Sequence, residues 1–141
     1  MEFSCIGDAV NLSSRTEGLT KLYGVVILIT ENTLMETGDL FVTREIDAVV
    51  VKGKNRSVRI FELICKRGDP IPQEIQQVCH LFSIGLDLYR RKQFEEAIGM
   101  FTAAHSTNGD GPSKVFIRRC EQYIESPPPC SWNAVYVAEE K

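Results

Sequence analysis

The chain has 141 residues, of which 43% are hydrophobic and 25% charged, a composition typical of a soluble globular protein with one domain or two small units. Its formal net charge of −3 argues against a general nucleic-acid-binding protein, which would normally be basic. No apolar run approaches the roughly 20 residues of a membrane-spanning helix, and no signal peptide is visible at the amino terminus. These features predict a cytoplasmic protein without direct membrane contact.

The cysteines do not form a recognisable framework. Their number is odd, none forms a Cys-x-x-Cys pair, and only two histidines are available for a zinc site. We therefore expect reduced cysteines that mostly serve packing, as is usual in the cytosol. The five are Cys5, Cys65, Cys79, Cys120 and Cys130.

The first predicted elements are a short strand at residues 3–6 and a helix from about residue 8 to residue 19. Gly24 can close this helix because glycine readily adopts a left-handed turn. The continuous apolar run at 25–29 is typical of a strand buried on both faces. Thr30 can then cap a short helix.

A hairpin and a linker follow. Residues 40–51 are predicted to be extended, 52–55 to form a turn, and 57–63 to return as the partner strand. Glycine and proline then mark residues 65–72 as a linker.

The second half of the chain has a helical pattern at residues 73–105. Its small and aromatic residues match positions of one tetratricopeptide repeat, namely Gly85, Phe94, Ala97, Phe101 and Ala104. A lone repeat cannot bury its own face, so it should pack on the preceding domain or on the next helix. That helix is predicted to begin near Ser113 as its N-cap and to be stopped by the prolines at 127–129. The apolar tail at 132–137 is expected to dock.

Two polar side chains stand four residues apart on the first predicted helix. Asn11 and Arg15 therefore share a helical face. The guanidinium of Arg15 suits a polyphosphate, and the carboxamide of Asn11 suits a sugar or a base. Lys52 and Lys54 flank Gly53 in the predicted turn, where a lysine can reach a phosphate. The residues alone predict binding of an anion with a ribose-like edge, although a solvated helix arginine and an ordinary hairpin would look similar.

The same stretches resemble class III nucleotide cyclases. Residues 6–19 are similar to the Gly-Asp-x-Val-Asn-x-Ala-x-Arg-x-Glu segment of that family, and residues 44–47, 51–54 and 58–63 to its final hairpin. The remainder resembles the carboxy-terminal extension of some bacterial cyclases. The resemblance implies an α+β fold, with a partial ferredoxin-like cyclase domain at 1–65, a linker at 66–72 and a small helical, tetratricopeptide-like extension at 73–141.

In that family the catalytic domains pair, and each active site lies at the dimer interface. The resemblance implies a fragment of an adenylate cyclase that converts ATP to cyclic AMP and pyrophosphate in a full-length homodimer. Asn11 would orient the ribose, and Arg15 would stabilise charge on the α-phosphate and the leaving pyrophosphate. Lys52 would hold the β- and γ-phosphates. Ser4 occupies the position whose side chain recognises the purine base in that family, and we expect the base to be adenine.

The departure from the family that matters is that the two metal-binding aspartates are carried on earlier strands, which the chain does not contain. Asp39 and Asp47 are isolated and show no metal-ligand pattern. Mg²⁺ or Mn²⁺ would therefore be bound only by the full-length parent, and we expect the fragment alone to be inactive. We also expect it to self-associate, swap elements or cover its open sheet with the helical tail. The alternative function is a non-catalytic protein-interaction module on a cyclase-like scaffold.

Overall fold

A computed structural model describes residues 18–51 and 57–138 of the chain, and it has the predicted α+β architecture. The elements in chain order are α1 (helical over residues 18–23), β1 (Leu28–Thr30), α2 (Glu31–Thr37), β2 (Phe41–Val51), β3 (Val58–Lys66), α3 (Gln73–Arg90), α4 (Phe94–Asn108), α5 (Gly111–Glu125) and β4 (Tyr136–Ala138). They divide into two compact units. The sheet unit contains the described residues up to Asp69 together with 135–138, and the helical unit is Pro70–Ala134.

The sheet has four strands in the order β1-β3-β2-β4. β3 pairs antiparallel with both β1 and β2, so the predicted hairpin is confirmed. Pairing of Phe41 with Lys66 carries β3 three residues beyond its predicted end. β4 lies parallel to β2 and comes from the far end of the chain, after the helical unit.

The prediction for residues 25–29 is wrong in extent. Gly24 adopts the expected left-handed conformation with φ of 71°, and its N–H donates to the carbonyl of Thr20 at 2.8 Å. The chain then needs several residues to reach the sheet, so Val26 is 88% exposed and the strand comprises only Leu28–Thr30. All three strand residues are buried, as expected for a strand covered on both faces.

The short helix α2 begins as predicted. The backbone N–H of Thr33 donates to Oγ1 of Thr30 at 3.3 Å, which satisfies one of the otherwise unpaired donors of the first turn. The helix ends at Gly38, whose φ of 60° is accessible to glycine at little cost.

Three buried phenylalanines form the centre of the helical unit. Phe82 on α3, Phe101 on α4 and Phe116 on α5 have ring centroids 5.3–5.5 Å apart. Gly85 lets α3 approach α4, because a Cβ atom at this position would lie 2.7 Å from the ring of Phe101. Of the two predicted ways to bury the hairpin, the structure shows packing on the next helix.

The start of α5 differs from the prediction. The N-cap is Asp110 and not Ser113, and the helix begins at Gly111. Oδ2 of Asp110 accepts hydrogen bonds from the backbone N–H of Ser113 at 3.2 Å and from its hydroxyl at 2.7 Å. Pro112 is tolerated because a first-turn residue has no intrahelical donor to lose. The helix ends at Glu125, before the prolines, as predicted.

The tail docks as expected. Trp132 lies with its ring centroid 5.2–5.6 Å from those of Tyr89, Phe94 and Tyr123, and we call these four residues the aromatic cluster. The following residues form β4, which joins the sheet. Among the described residues, Cys65, Cys79, Cys120 and Cys130 form no disulfide, and Cys5 lies outside the described residues.

Candidate functional site

All four residues of the predicted site lie outside the described part of the chain. Ser4, Asn11 and Arg15 belong to residues 1–17, and Lys52 belongs to residues 52–56. The structure therefore neither brings these side chains together nor separates them. It does describe the elements next to them along the chain. α1 follows the first three residues, and β2 ends immediately before Lys52.

A buried hydrogen bond ties these two elements together. The hydroxyl of Tyr23 at the end of α1 donates to Oδ2 of Asp47 on β2 at 2.5 Å, and both residues are fully buried. The other carboxylate oxygen of Asp47 accepts the N–H of Ala48 at 2.8 Å. A carboxylate removed from water needs such donors, and a charge-assisted bond in a low-dielectric interior is stronger than one at the surface. This contact fixes the last turn of α1 to β2 five residues before Lys52.

A β-bulge lies at the same place on β2. Glu45 pairs with Phe61 and Asp47 pairs with Ile60, so Ile46 is an extra residue on this strand. A bulge bends the strand and increases its local twist. Both Ile46 and Asp47 are completely buried here, which a strictly alternating strand would not permit for two neighbouring residues on an open sheet.

One face of the hairpin carries a partly buried ion pair. Nε of Arg44 lies 2.7 Å from a carboxylate oxygen of Glu62, which is directly opposite on β3. The two side chains are 9% and 20% exposed, so water screens this pair less than a surface pair. The positive charge of Arg44 is therefore already matched by a carboxylate.

The other face carries an exposed ion pair. Arg59 on β3 lies 2.6 Å from Glu31 and 3.7 Å from Glu45, and its guanidinium is 5.8 Å from the ring centre of Phe61. The hydrogen bond from Arg59 lowers the pKa of Glu31, and the hydrogen bond to Glu31 together with the charge of Glu45 raises the pKa of Arg59. Because these groups are solvated, the pair orients side chains more than it stabilises the fold.

The last three residues of β2 pair with β4, and the first of them also pairs with β3. Val49 pairs with Val58 of β3 and with Tyr136 of β4, and the register with β4 continues to Val51 and Ala138. Val49 is 1% exposed. The strand that leads to Lys52 is therefore paired on both sides at Val49 and with β4 up to its final residue.

The described residues do not fit a metal ion. No group of three or more histidine, cysteine, aspartate or glutamate side chains within residues 18–51 and 57–138 could hold one. Asp39 is exposed on the surface, and Asp47 is engaged by Tyr23 and Ala48. The described residues therefore offer no set of ligands for a catalytic metal.

The helical unit carries an open groove of about 740 Å³. It lies between the start of α4 and the end of α5, with Phe94, Tyr123, Ile124, Pro127 and Pro128 as its apolar lining and with Lys92, Glu95 and Glu96 on its charged side. Phe94 and Tyr123 also belong to the aromatic cluster. Sequence reasoning predicted no site here.

The contact between Tyr23 and Asp47, which joins α1 to β2, was not predicted from the sequence. An aspartate within an apolar strand segment is unusual, since aspartate is depleted in strands and rarely buried without a partner. That signal could have marked Asp47 as an internal hydrogen-bond acceptor. The partner could not have been chosen from the sequence, because Tyr23 is 24 positions away.

Within the described residues, none of the helices has the length and apolar character needed to cross a membrane.

Comparison with known proteins gives a consistent set of relatives. The chain is 39% identical over 130 residues to the protein named adenylate cyclase, terminal-differentiation specific, of Dictyostelium discoideum. This match covers 89% of the chain and 6% of that protein. No model of a known protein family matches the chain, and no solved structure matches it.

Two bacterial proteins match about half of the chain. The adenylate cyclase of Anabaena cylindrica is 47% identical over 66 residues, which cover 45% of the chain and 13% of that protein. Adenylate cyclase 1 of Rhizobium meliloti is 28% identical over 64 residues, which cover 45% of the chain and 10% of that protein. The chain is thus related in sequence to proteins named adenylate cyclase, and it spans only a small part of their length.

Proposed function

We propose that this chain is part of an adenylate cyclase and that, within a longer dimeric protein, it takes part in converting ATP to cyclic AMP and pyrophosphate in the cytoplasm. The observation that carries the proposal is the 39% identity with the Dictyostelium protein over 130 residues. Because this match covers 89% of the chain, it includes most of both the sheet unit and the helical unit. The proposed function therefore concerns the two units together.

The roles assigned to the site residues rest on the resemblance to class III cyclases. Asn11 orients the ribose, Ser4 contacts the purine, and Lys52 holds the β- and γ-phosphates. Arg15 stabilises the negative charge that develops on the α-phosphate and the leaving pyrophosphate. Fixed donors aimed at developing charge lower the barrier because they need no reorganisation during the reaction.

The described elements next to these residues, α1 and β2, support this assignment physically. A phosphate-binding group is most effective when the element that carries it is rigid. β2 is paired with β3 and β4 at Val49 and with β4 up to its end, and the buried contact between Tyr23 and Asp47 fixes α1 to it. Arg44 and Arg59 are engaged by carboxylates, which favours the basic residues outside the described segments as the phosphate ligands.

We further propose that other parts of the longer protein supply the ligands for Mg²⁺ or Mn²⁺, which would activate the attacking 3′-hydroxyl. The described residues do not fit that role, as shown above. The chain alone is then expected to produce no cyclic AMP. Formation of cyclic AMP by the purified 141-residue chain with ATP and Mn²⁺ would contradict this part of the proposal.

The role of Arg15 is tested in the longer protein. Arg15→Ala should lower kcat by about 100-fold or more with a smaller change in KM, because the lost interaction acts in the transition state. Arg91→Ala is a matched control, since Arg91 is the exposed C-cap residue of α3 and pairs only weakly with Asp87. Unchanged turnover in Arg15→Ala would refute the assignment.

One observation favours a second candidate, a non-catalytic interaction module. The groove on the helical unit is partly apolar and opens to solvent, as expected for a surface that binds another protein. Absence of cyclic AMP formation by the longer protein, together with specific binding of a partner at this groove, would favour the module over the enzyme.

A further inference from the structure

The groove on the helical unit is lined by rings that are already fixed by their neighbours. Phe94 and Tyr123 stack with ring centroids 5.2 Å apart and ring planes at 29° to each other. Trp132 packs against both rings, at 5.6 and 5.2 Å. Beside them lie Pro127 and Ile124, and the latter is 42% exposed. A preformed apolar surface of this kind can bind a ligand without first having to be ordered.

Two negative charges of the groove are not matched by the protein. Glu95 and Glu96 occupy the first turn of α4, line the groove and are exposed. Within residues 18–51 and 57–138, neither forms an ion pair or a side-chain hydrogen bond. The positive end of the helix dipole stabilises both carboxylates at this position. Of the described residues that line the groove, Lys92 alone is cationic, so negative charge predominates there.

The end of α5 adds hydrogen-bond acceptors to the same groove. The carbonyl end of a helix carries partial negative charge, and the last turn of α5 contains Glu125 and no basic residue. The N–H of Ser126 donates to the carbonyl of Gln122 at 2.8 Å. The three residues that follow are prolines, which have no N–H to donate to the remaining carbonyls. This side of the groove is therefore suited to a cationic ligand that is rich in donors.

We propose that the groove binds a segment of a partner protein in which an arginine or a lysine stands beside an apolar side chain. Glu95 and Glu96 pair with the cation, and Ile124 and Pro127 contact the apolar side chain. Arginine fits best, because its planar guanidinium donates to carboxylates and also stacks on aromatic rings such as that of Tyr123. An acidic or phosphorylated segment would meet like charges. This inference goes beyond the proposed enzymatic function and does not depend on it.

The test uses the 141-residue chain and a displayed library of random peptides as the probe. The selected peptides are synthesised, their dissociation constants are measured by calorimetry, and their contacts are mapped by NMR on backbone amides. Glu96→Lys reverses a charge of the groove. Glu74→Lys is the matched control, since Glu74 is also an exposed first-turn glutamate but lies on α3 and does not line the groove. Both variants lose the same interaction with a helix dipole, and circular dichroism checks that each is folded.

Two further variants separate the apolar and electrostatic parts of the proposal. Ile124→Ser removes apolar contact and leaves every charge in place. Lys92→Gln removes the single cation among the described lining residues, so a cationic peptide should bind this variant more tightly than the wild type. A purely structural role of Lys92 would not produce that gain.

We expect the selected peptides to be enriched in arginine or lysine next to apolar residues and to shift the amides of residues 92–96 and 123–126. Their dissociation constant should rise about tenfold or more in Glu96→Lys and about fivefold in Ile124→Ser. It should fall about twofold in Lys92→Gln and stay within about twofold in Glu74→Lys.

Three results would overturn the proposal. The first is selection of acidic peptides or of none, and the second is equal binding of basic peptides by Glu96→Lys and Glu74→Lys. The third is self-association of the wild-type chain that Glu96→Lys abolishes, which would assign the groove to a second copy of this chain. None of these results concerns the conversion of ATP, so the proposed enzymatic function would stand or fall separately.

Discussion

The close approach of α3 and α4 at Gly85 yields a sharp test of the helical unit. In Gly85→Ala the added Cβ would lie 2.7 Å from Cε1 of Phe101, whereas carbon atoms in contact are normally separated by about 3.5 Å or more. The ring of Phe101 is completely buried and packs against both Phe82 and Phe116, so it has little room to move. Overpacking of this kind costs about 1–3 kcal/mol, and the better helix propensity of alanine returns about 1 kcal/mol. We expect a net loss of about 0–2 kcal/mol.

Gly99→Ala is the matched control on α4. A Cβ at Gly99 would meet nothing within 4 Å, so this substitution should stabilise the unit by roughly 0.5–1 kcal/mol. The two variants then differ by about 2 kcal/mol, which corresponds to about 8–16 °C in Tm for a unit of this size. Thermal unfolding is followed by far-UV circular dichroism and by the emission of Trp132, the single tryptophan of the chain. A Gly85→Ala variant that melts at or above Gly99→Ala would refute the packing argument.

Three further outcomes follow from individual contacts. Asp110→Ala should cost about 1 kcal/mol in urea unfolding, because it removes the N-cap acceptor of α5. Tyr23→Phe should cost about 1.5–3 kcal/mol by the same measurement, since it removes a buried donor to the carboxylate of Asp47. Burial raises the pKa of Cys120 to about 12, so iodoacetamide at pH 8 should label the exposed Cys130 and spare Cys120, as read by peptide mass spectrometry. The folded chain then holds that proton more tightly than the unfolded chain, and stability should fall as the pH rises above about 9.

Features set by neighbouring residues could be predicted from the sequence. The cap at Thr30, the turn at Gly24 and the hairpin of β2 and β3 each depend on residues within a few positions of one another. Local rules can favour more than one residue for the same role: the sequence pattern predicts Ser113 as the N-cap, whereas Asp110 fills that role in the structure. Both are good N-cap residues, and the choice depends on where the preceding turn delivers the chain.

Features set by distant residues could not be predicted. Three features depend on which segments meet in space: the strand β4, the contact between Tyr23 and Asp47, and the shortness of β1. The candidate site is a different case, because Asn11, Arg15, Ser4 and Lys52 lie outside the described residues and their roles stay predictions. The pairing of β2 with β4 and its contact with α1 could not be predicted from the sequence. They give the predicted site residues a structural context.

The chain order of the sheet has a consequence for biosynthesis. Val49 and its partner Tyr136 are 87 positions apart, and the whole helical unit is synthesised between them. Closing so long a loop is entropically costly, whereas the contacts within α3–α5 are local and form early. We expect the nascent helical unit to fold on the ribosome first, and β2 to wait with an open edge until residues 136–138 emerge. During that interval the edge of β2 is the surface most exposed to wrong pairing, so a molecular chaperone that acts on this chain should protect that strand.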